Sequence, residues 1–560
     1  MNAVTTTQTI DHAVGELLKG AQTLASSSIE QRIEAAKACI QGVARIAQRW
    51  QAAGCQAKRT SDSVVGRAEE ILTGPVASLR YLHLIIKTMQ DLQSKGMPQL
   101  PGTAKLVEGQ LRVPVFPTQL LFDSVAFRGM RGETWLEPGV SAQNMFGDTP
   151  ERLLRRKSVQ PRVELVLGAG NVSSIAMTDS LTKIFQDDSA VLLKMNPVNQ
   201  YLGPLFEEAL QPLVKLGWLR IVYGAAVEGA YAISHPHVHG VHITGSTDTH
   251  EAIVWGCDAA QRQQRKAAGT PLLDKPISSE LGNVTPWIIV PGDYTNKQLA
   301  AQAETIAASI TNNASFNCVA TKMVITWNQW AQREQFLGLL NAAIARTENR
   351  YAYYPGAEER FAQFSGGANV APGCNGVLPW KLRSNLNYDE HALLFQRESF
   401  VCVAGETMLE GSSPADYLSR AVEFVNERMT GTLAVELTVP TEFQKRSAAE
   451  FDTALRRLRY GTIGINQWAG LSFAWMSPPW GGYPGASLAD VQSGIGSVHN
   501  TYLLDRPQKS IVFAPLCMSP KPVWFSTHRC PEIVAQRLLS LCASPSILKL
   551  PALFAAALRG

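Results

Sequence analysis

Short strand-like and helical segments alternate along the chain from residue 163 onwards. The first four strand-like runs are 163–167, 189–194, 220–223 and 240–243, and each is followed by a helical or turn segment. This alternation is typical of parallel strands joined by crossover helices, so it predicts an α/β fold with a doubly wound parallel sheet. Further strand-like runs predict a second α/β domain, and they lie at 287–290, 323–326, 432–435 and 462–465.

The composition fits a large globular protein. The chain has 560 residues, of which 45% are apolar and 18% charged, and its formal net charge is +4. This length can bury the cores of two or three domains, and the small net charge gives no reason to expect nucleic-acid binding. The nine cysteines include no close CxxC pair, so we expect neither a disulfide framework nor a metal site, and a reducing, cytoplasmic setting. We find no signal-peptide pattern and no apolar stretch of 18 residues, so no membrane-spanning helix is expected.

Cys318 and Glu280 are candidate catalytic residues. Cys318 follows small and amide residues in Asn-Asn-Ala-Ser-Phe-Asn-Cys, and Glu280 stands in Ser-Ser-Glu-Leu-Gly. A thiolate can add to a carbonyl carbon, and a carboxylate can later activate the water that releases the product. Either residue alone is also compatible with a structural role, because most lone cysteines are small buried hydrophobes.

Nine segments, in a consistent order between Val163 and Pro515, resemble the aldehyde dehydrogenase superfamily. They are Val191–Lys194, Ile221–Gly224, Ser234–His237, Ile243–Thr247, Glu280–Gly282, Asn313–Cys318, Glu398–Phe400, Gly461–Asn466, and Gly481–Tyr483 leading to Ser493–Gly496. The resemblance implies a Rossmann-type cofactor domain, an α/β catalytic domain and a β element for oligomerisation. The common dinucleotide fingerprint GxGxxG does not occur in the chain, and this superfamily does not use it.

The resemblance also implies domain boundaries. Residues 1–286 would form the cofactor-binding domain, with a β-hairpin interface element near 111–137, and residues 287–480 the catalytic domain. Residues 481–515 would form a return segment and an oligomerisation strand, and residues 516–560 a C-terminal extension that the family usually lacks. Because residues 498–515 resemble the strand that extends a sheet across subunits, we expect a homodimer or homotetramer.

The resemblance implies NAD or NADP as cofactor. Lys194 ends a strand and would bind the adenosine ribose, while Gly245 and Ser246 open a helix whose first amides would hold the pyrophosphate. Gly224 ends another strand near the same site. The family often has a carboxylate three residues after the lysine, where this chain has Pro197. Since that carboxylate would repel the 2′-phosphate of NADP, its absence leaves the choice of nucleotide open.

The implied reaction is oxidation of a small-molecule aldehyde to its acid. Cys318 would attack the aldehyde, and the Asn171 side chain and the Cys318 N–H would form the oxyanion hole. Hydride transfer to the nicotinamide would leave a thioester, which water activated by Glu280 would hydrolyse. Glu398 would bind the nicotinamide ribose, and Phe400 would lie behind the ring.

Two other functions compete with this one. A CoA-acylating enzyme would pass the acyl group from Cys318 to CoA, but members of that kind often lack the glutamate base. A catalytically silent relative could act as a scaffold, but Cys318, Glu280 and Asn171 are all present. Cys257 and Cys402 have no catalytic context, and we interpret both as structural.

The C-terminal extension is basic and apolar. Residues 517–560 contain five basic side chains and one acidic side chain, Glu532, so their net charge is +4. The apolar residues of this segment recur at helical spacing. One interpretation is a peripheral membrane helix or a lid over a hydrophobic tunnel. The other, which we favour, is an arm packed on a neighbouring subunit. Aromatic residues near the family's substrate entrance, Trp468, Phe473, Trp475 and Trp480, predict medium or long apolar aldehydes, although core packing would explain them equally well.

Overall fold

The computed structural model describes residues 5–155, 160–367 and 375–560. The helices are α1 (Thr7–Ser26), α2 (Ile29–Ala57), α3 (Val64–Ile71), α4 (Ala77–Lys95), α5 (Asp123–Ala126), α6 (Thr149–Arg155), α7 (Ile175–Phe185), α8 (Gly203–Ala209), α9 (Gln211–Lys215), α10 (Ala226–Ser234), α11 (Thr247–Trp255), α12 (Ala259–Ala268), α13 (Asn296–Thr311), α14 (Arg333–Ala345), α15 (Ala357–Phe364), α16 (Ala392–Gln396), α17 (Pro414–Arg428), α18 (Thr441–Arg446), α19 (Ala448–Arg457), α20 (Gly470–Trp475), α21 (Pro531–Ala543) and α22 (Leu550–Ala557). The strands are β1 (Lys105–Val107), β2 (Gln110–Phe116), β3 (Arg131–Leu136), β4 (Arg162–Leu167), β5 (Ser189–Lys194), β6 (Leu219–Val222), β7 (Gly240–Thr244), β8 (Ile277–Glu280), β9 (Pro286–Ile289), β10 (Met323–Trp327), β11 (Arg350–Tyr351), β12 (Val377–Leu378), β13 (Lys381–Arg383), β14 (Val403–Leu409), β15 (Ala434–Thr438), β16 (Thr462–Ile465) and β17 (Pro507–Phe513).

The first sheet is the predicted doubly wound parallel sheet. Its strand order is β6-β5-β4-β7-β8, and all of its neighbouring strands run parallel. Side chains of β4 alternate between two apolar cores: Val163 and Leu165 pack with α1, whereas Val166 packs with α2 and α7. Burial on both faces explains why these strands read as continuous apolar runs in the sequence. The edge strand β8 was not predicted, and it ends at Glu280.

The second sheet is larger and mixed. Its strand order is β1-β2-β3-β17-β16-β15-β9-β10-β14-β13. Strands β17 to β13 in this order run parallel, which confirms the predicted second α/β unit, and β1, β2 and β3 add an antiparallel edge. The boundary proposed at residue 286 coincides with the first residue of β9.

The pairing of β17 differs from the expectation. We expected this strand to extend a sheet across subunits, but it pairs on both sides within its own chain. Ile511 lies opposite Ile463 of β16 on one side and opposite Glu133 of β3 on the other. The hairpin β2–β3 folds back onto the sheet of the same chain, so β17 has no free edge. The homodimer or homotetramer therefore stays a prediction that this strand no longer supports.

The C-terminal extension packs on helices of its own chain, and the favoured interpretation of an arm on a neighbouring subunit stays a prediction. Arg67 of α3 forms an ion pair of 2.8 Å with Glu532 of α21. The His83 ring of α4 lies 2.7 Å from the carbonyl of Cys542. Val534 and Leu541 pack with residues of α22 in a small apolar cluster. In the described part of the chain, no helix is both long and apolar enough to cross a membrane.

Candidate active site

Two cavities meet at Cys318 and Glu280. The first, which we call the cofactor-side cavity, has a volume of about 1440 Å³ and lies at the carboxyl ends of β4, β5 and β7. The second, the apolar cavity, has a volume of about 150 Å³ and lies between α4, α20 and the C-terminal extension. Both residues line both cavities, so a molecule in either cavity can reach them. This is the crevice where ligands of open α/β sheets usually bind.

The cofactor-side cavity collects nearly all of the site residues predicted from the sequence. These are Asn171, Lys194, Gly245, Ser246, Glu280, Cys318, Glu398 and Phe400. Gly224 does not line the cavity, although Ala225 and Ala226 do, and its contact with the cofactor stays a prediction. Gly224 has φ of 125°, and a Cβ atom there would lie 2.5 Å from Glu228. Its role is therefore to permit the turn into α10.

Strand ends and a helix start form the wall for a dinucleotide. Lys194 is the last residue of β5, and burial lowers its pKa while Glu228 partly opposes that shift. Ser246 caps α11, where its hydroxyl accepts a hydrogen bond of 3.2 Å from the Thr249 N–H. The first amides of this helix open towards the cavity and suit an anionic group. Glu228 was missed because it lies outside the family motifs.

Glu398 also lines the cofactor-side cavity. Its buried Oε1 atom has no hydrogen-bond partner among the described residues, and burial raises the pKa of the carboxyl. A Cβ atom at Gly282 would lie 2.2 Å from its Oε2 atom, so the Glu-Leu-Gly motif needs its glycine at this position. Phe400 follows with φ of 42°, and its ring lies 5.1 Å from that of Tyr354. An unpartnered carboxylate oxygen beside an aromatic ring suits a ribose hydroxyl and a flat ring system.

Glu280 and Cys318 are the groups able to do covalent chemistry. Glu280 ends β8 and is 4% exposed, and burial raises its pKa to about 7, with further influence from Cys318, Asp179 and Trp480. A carboxyl with this pKa can accept a proton near neutral pH. Burial, and then the carboxylates of Glu280 and Glu398, raise the pKa of the Cys318 thiol well above its usual value. The thiol must therefore lose its proton before the sulfur can act as a nucleophile.

Asn171 lies against the loop that carries the nucleophile. Its Nδ2 atom donates a hydrogen bond of 3.0 Å to the carbonyl of Phe316, two residues before Cys318. Since a carboxamide has two N–H groups, a second donor is available for a substrate oxygen. A Cβ atom at Gly170 would lie 2.7 Å from Asn196, so glycine fits where two loops approach closely.

Comparison with known proteins agrees with this geometry. Residues 189–349 match the profile of the aldehyde dehydrogenase family. An aldehyde dehydrogenase from Brucella melitensis biovar abortus 2308 is 17% identical, with a TM-score of 0.56 over 91% of this chain and 90% of that one. The NAD-dependent aldehyde dehydrogenase from Sinorhizobium meliloti is 14% identical, with a TM-score of 0.58 over 90% and 86%. Part of the chain therefore matches the aldehyde dehydrogenase family, and the fold is that of aldehyde dehydrogenase structures.

A third structure is similar, and it carries ligands. Aldehyde dehydrogenase C from Pseudomonas syringae, in complex with NAD⁺ and octanal, is 14% identical, with a TM-score of 0.59 over 91% of this chain and 89% of that one. None of the curated protein sequences matches the chain. The family and the fold support aldehyde oxidation in general terms.

The apolar cavity is lined largely by aromatic and aliphatic side chains. All four predicted aromatic residues, Trp468, Phe473, Trp475 and Trp480, line it. They also pack the interior: Trp475 is 1% exposed and stacks on Phe116 with 3.7 Å between ring centroids. The Trp468 N–H donates a hydrogen bond of 2.7 Å to the carbonyl of Val319, beside the nucleophile. These aromatic residues can therefore both pack the core and line a cavity for an apolar substrate.

The C-terminal extension closes one side of the apolar cavity. Its contributing residues are Val523, Trp524, Leu538, Leu541 and Cys542. Leu538 and Leu541 belong to the apolar face that the helical spacing of the extension predicts. Trp524 belongs to no such pattern in the sequence. On the outer side of the extension, Ile547, Leu548 and Leu558 are 66%, 85% and 72% exposed. A peripheral membrane contact by this face stays a prediction.

The two cysteines interpreted as structural differ. Cys402 is buried, its Sγ lies 3.2 Å from the carbonyl of Pro379, and burial raises its pKa to about 12. Those properties fit a structural role. Cys257 is exposed and lies at the wall of the cofactor-side cavity, so it does not contribute to a core.

Proposed function

We propose that this protein oxidises an aldehyde to its carboxylic acid with NAD or NADP, through a thioester on Cys318. The observation that carries the proposal is that Cys318 and Glu280 stand where the cofactor-side cavity meets the apolar cavity. An aldehyde in the apolar cavity and a nicotinamide in the other would approach the thiol from two sides. The overall reaction consumes aldehyde, water and oxidised cofactor and yields acid, reduced cofactor and a proton.

The residues of the cofactor-side cavity fit a dinucleotide. Lys194 and the first turn of α11 would hold the adenosine ribose and the pyrophosphate, and Glu398 would bind the second ribose through its unpartnered oxygen. When bound, the oxidised nicotinamide supplies the hydride acceptor. Phe400 would limit how far the ring can move.

The catalytic steps follow from the positions of three side chains. The Cys318 thiol gives up its proton to solvent, and the sulfur adds to the aldehyde carbon. The Asn171 amide and the Cys318 N–H hold the resulting oxyanion, and loss of the hydride leaves a thioester. Glu280 then accepts a proton from water, which displaces the sulfur and releases the acid.

Hydrolysis is favoured over transfer to CoA by the presence of Glu280 at this junction. A panel of aldehydes, each tested with and without CoA, separates the candidates when reduced cofactor and acid are both quantified. Acid formation without CoA supports the proposal. An absolute requirement for CoA would favour the acylating enzyme, and absence of turnover with every aldehyde would favour a silent relative.

We further propose a preference for NAD over NADP, because Glu228 provides negative charge near Lys194. The sequence has Pro197 where many relatives have a carboxylate, and Glu228 acts on Lys194 from α10 instead. Glu228→Gln should raise the ratio of kcat/KM for NADP to that for NAD by roughly 2- to 5-fold, the effect of an exposed charge pair. Glu208→Gln, which removes an exposed carboxylate paired with Arg49, is the matched control. An unchanged ratio in Glu228→Gln would remove Glu228 from nucleotide selection.

The substrate class that we propose is a medium-length or long apolar aldehyde. The apolar cavity would then favour longer chains by up to about 4-fold in kcat/KM for each buried methylene, since each contributes ~0.8 kcal/mol. Trp524→Ala should reduce kcat/KM for hexanal by roughly tenfold and change that for acetaldehyde little, because only the longer chain reaches the extension. Leu548→Ala, on the exposed outer side, should change neither. An equal loss for both aldehydes would make the extension a structural element only.

A further inference from the structure

Lys58 is buried beneath the loops that carry Asn171 and Cys318. It caps the C-terminus of α2, and its side chain is 11% exposed. The ammonium group lies 2.8 Å from Oε2 of Glu70, 3.1 Å from Oδ1 of Asn313 and 3.5 Å from the carbonyl oxygen of Asn171. Burial opposes the charge, but the neighbouring Glu70 outweighs it and raises the pKa of Lys58, so this side chain is charged at neutral pH.

The carbonyl of Asn171 is the meeting point of three donors. Besides Lys58, the Asn313 Nδ2 atom lies 3.1 Å from this oxygen, and the Tyr353 hydroxyl lies 3.0 Å from it. The same hydroxyl is 3.0 Å from Oδ1 of Asn313, and Asn313 also donates to the carbonyl of Phe316. The backbone of Asn171 and the loop before Cys318 are thus held to one another by Lys58, Asn313 and Tyr353.

The loop before Cys318 has a backbone conformation that needs such support. Asn313, Ala314 and Ser315 have φ of 53°, 55° and 68°, a run of three non-glycine residues in the left-handed region. Each such residue costs about 1–3 kcal/mol and persists only where its surroundings fix it. From the other side, the buried Lys322 donates a hydrogen bond of 2.7 Å to the hydroxyl of Ser315. The two lysines therefore fix opposite ends of this strained segment.

We infer that Lys58 is a positioning residue for the oxyanion hole, acting through its contacts with the Asn171 carbonyl and the Asn313 side chain. This inference rests on the proposed function, in which Asn171 and the Cys318 N–H hold the oxyanion. Lys58 touches neither the thiol nor the cavities at which the substrate and cofactor would bind. It fixes the distance between the two donors, because one lies on each of the loops that it connects.

Removing Lys58 should slow hydride transfer and leave cofactor binding unchanged. A remote change that misplaces reacting groups costs up to about 100-fold in rate. We therefore expect Lys58→Met to reduce the rate of the burst of reduced cofactor by roughly 10- to 100-fold. The cofactor KM should stay within about twofold of wild type, since the residues proposed to bind the dinucleotide are not in this network. Lys509→Met is the matched control, because Lys509 is also buried and donates to three backbone carbonyls, of Leu455, Arg456 and Leu458.

A double-mutant cycle with Asn171→Ala separates positioning from general stability. If Lys58 acts through Asn171, the double variant should be no slower than Asn171→Ala alone. Lys509→Met should leave the burst rate unchanged. The inference would be overturned if the burst rate of Lys58→Met equalled that of wild type. It would also be overturned if the fold-losses in burst rate of the two single variants multiplied in the double variant.

Two further measurements keep the test decisive. If circular dichroism shows that Lys58→Met does not fold, Tyr353→Phe takes its place in the cycle, because it removes one contact with Asn171 without changing charge, and the same two outcomes decide. Wild-type protein is assayed in parallel with a panel of aldehydes. Absence of turnover in wild type would contradict the proposed function, whereas an active wild type with an equally active Lys58→Met would contradict only the role of Lys58.

Discussion

Replacing Cys318 by alanine should abolish aldehyde oxidation and leave cofactor binding nearly unchanged. The thiol is the group that attacks the aldehyde in the proposed mechanism, and losing a catalytic nucleophile typically reduces kcat on the order of 10⁴-fold or more. The dinucleotide would be held by several residues of the cofactor-side cavity, such as Lys194, Ser246 and Glu398, so its affinity should not depend on this sulfur. Turnover is measured by reduced-cofactor absorbance, and affinity by titration calorimetry.

Cys517→Ala is the appropriate control for this variant. Cys517 is a free cysteine of intermediate exposure, like Cys318, but it lines neither cavity at the proposed site. We expect its turnover to equal that of wild type. Near-wild-type oxidation by Cys318→Ala would exclude the thioester mechanism.

Replacing Glu280 by glutamine should slow release of the acid far more than the first hydride transfer. Loss of a general base costs about 100- to 10,000-fold in the step that it assists. The expected time course is a burst of reduced cofactor, close to one equivalent per site, followed by a slow steady state. Rapid-quench measurements resolve both phases. If the steady state matches that of wild type, another group activates the water and Glu280 is structural.

The same carboxyl predicts how hydrolysis depends on pH. Because burial raises the pKa of Glu280 to about 7, most of it is protonated, and inactive as a base, below that pH. The steady-state rate should therefore rise as the pH increases through 7 and level off above about 8. In Glu280→Gln this rise should disappear from the slow phase. A wild-type rate that is constant between pH 6 and 8 would contradict the assignment.

Several parts of the fold and site could be predicted from local sequence. The strands of the first sheet are buried on both faces, so β4 and β5 are recognisable as apolar runs in the sequence. Polar residues at the ends of these strands lie at the edge of the sheet where ligands bind. That reasoning located Lys194 within the cavity, whereas Asn171 was identified by the family resemblance. Strand β8 escaped because Ile-Ser-Ser-Glu is mostly polar, and an edge strand of this kind has no apolar pattern.

Other features depend on contacts between distant segments. A strand pattern at 507–513 indicates a strand but cannot specify whether its partners belong to the same chain, and here β17 pairs within it. Lys58 is separated from Asn171 by 113 positions and from Asn313 by 255, so no spacing rule connects them. The same applies to Trp524, which lines the apolar cavity together with residues of α4 and α20 that are distant from it in the sequence.

The central claim is that Cys318 becomes acylated during turnover. Mass spectrometry of Glu280→Gln, mixed with hexanal and oxidised cofactor and then quenched and digested, tests this most directly because hydrolysis of the thioester is slowed. We predict a hexanoyl group on the peptide that contains Cys318, and none when the cofactor is omitted. Cofactor reduction without acylation of Cys318, or acylation of a different cysteine, would contradict the account.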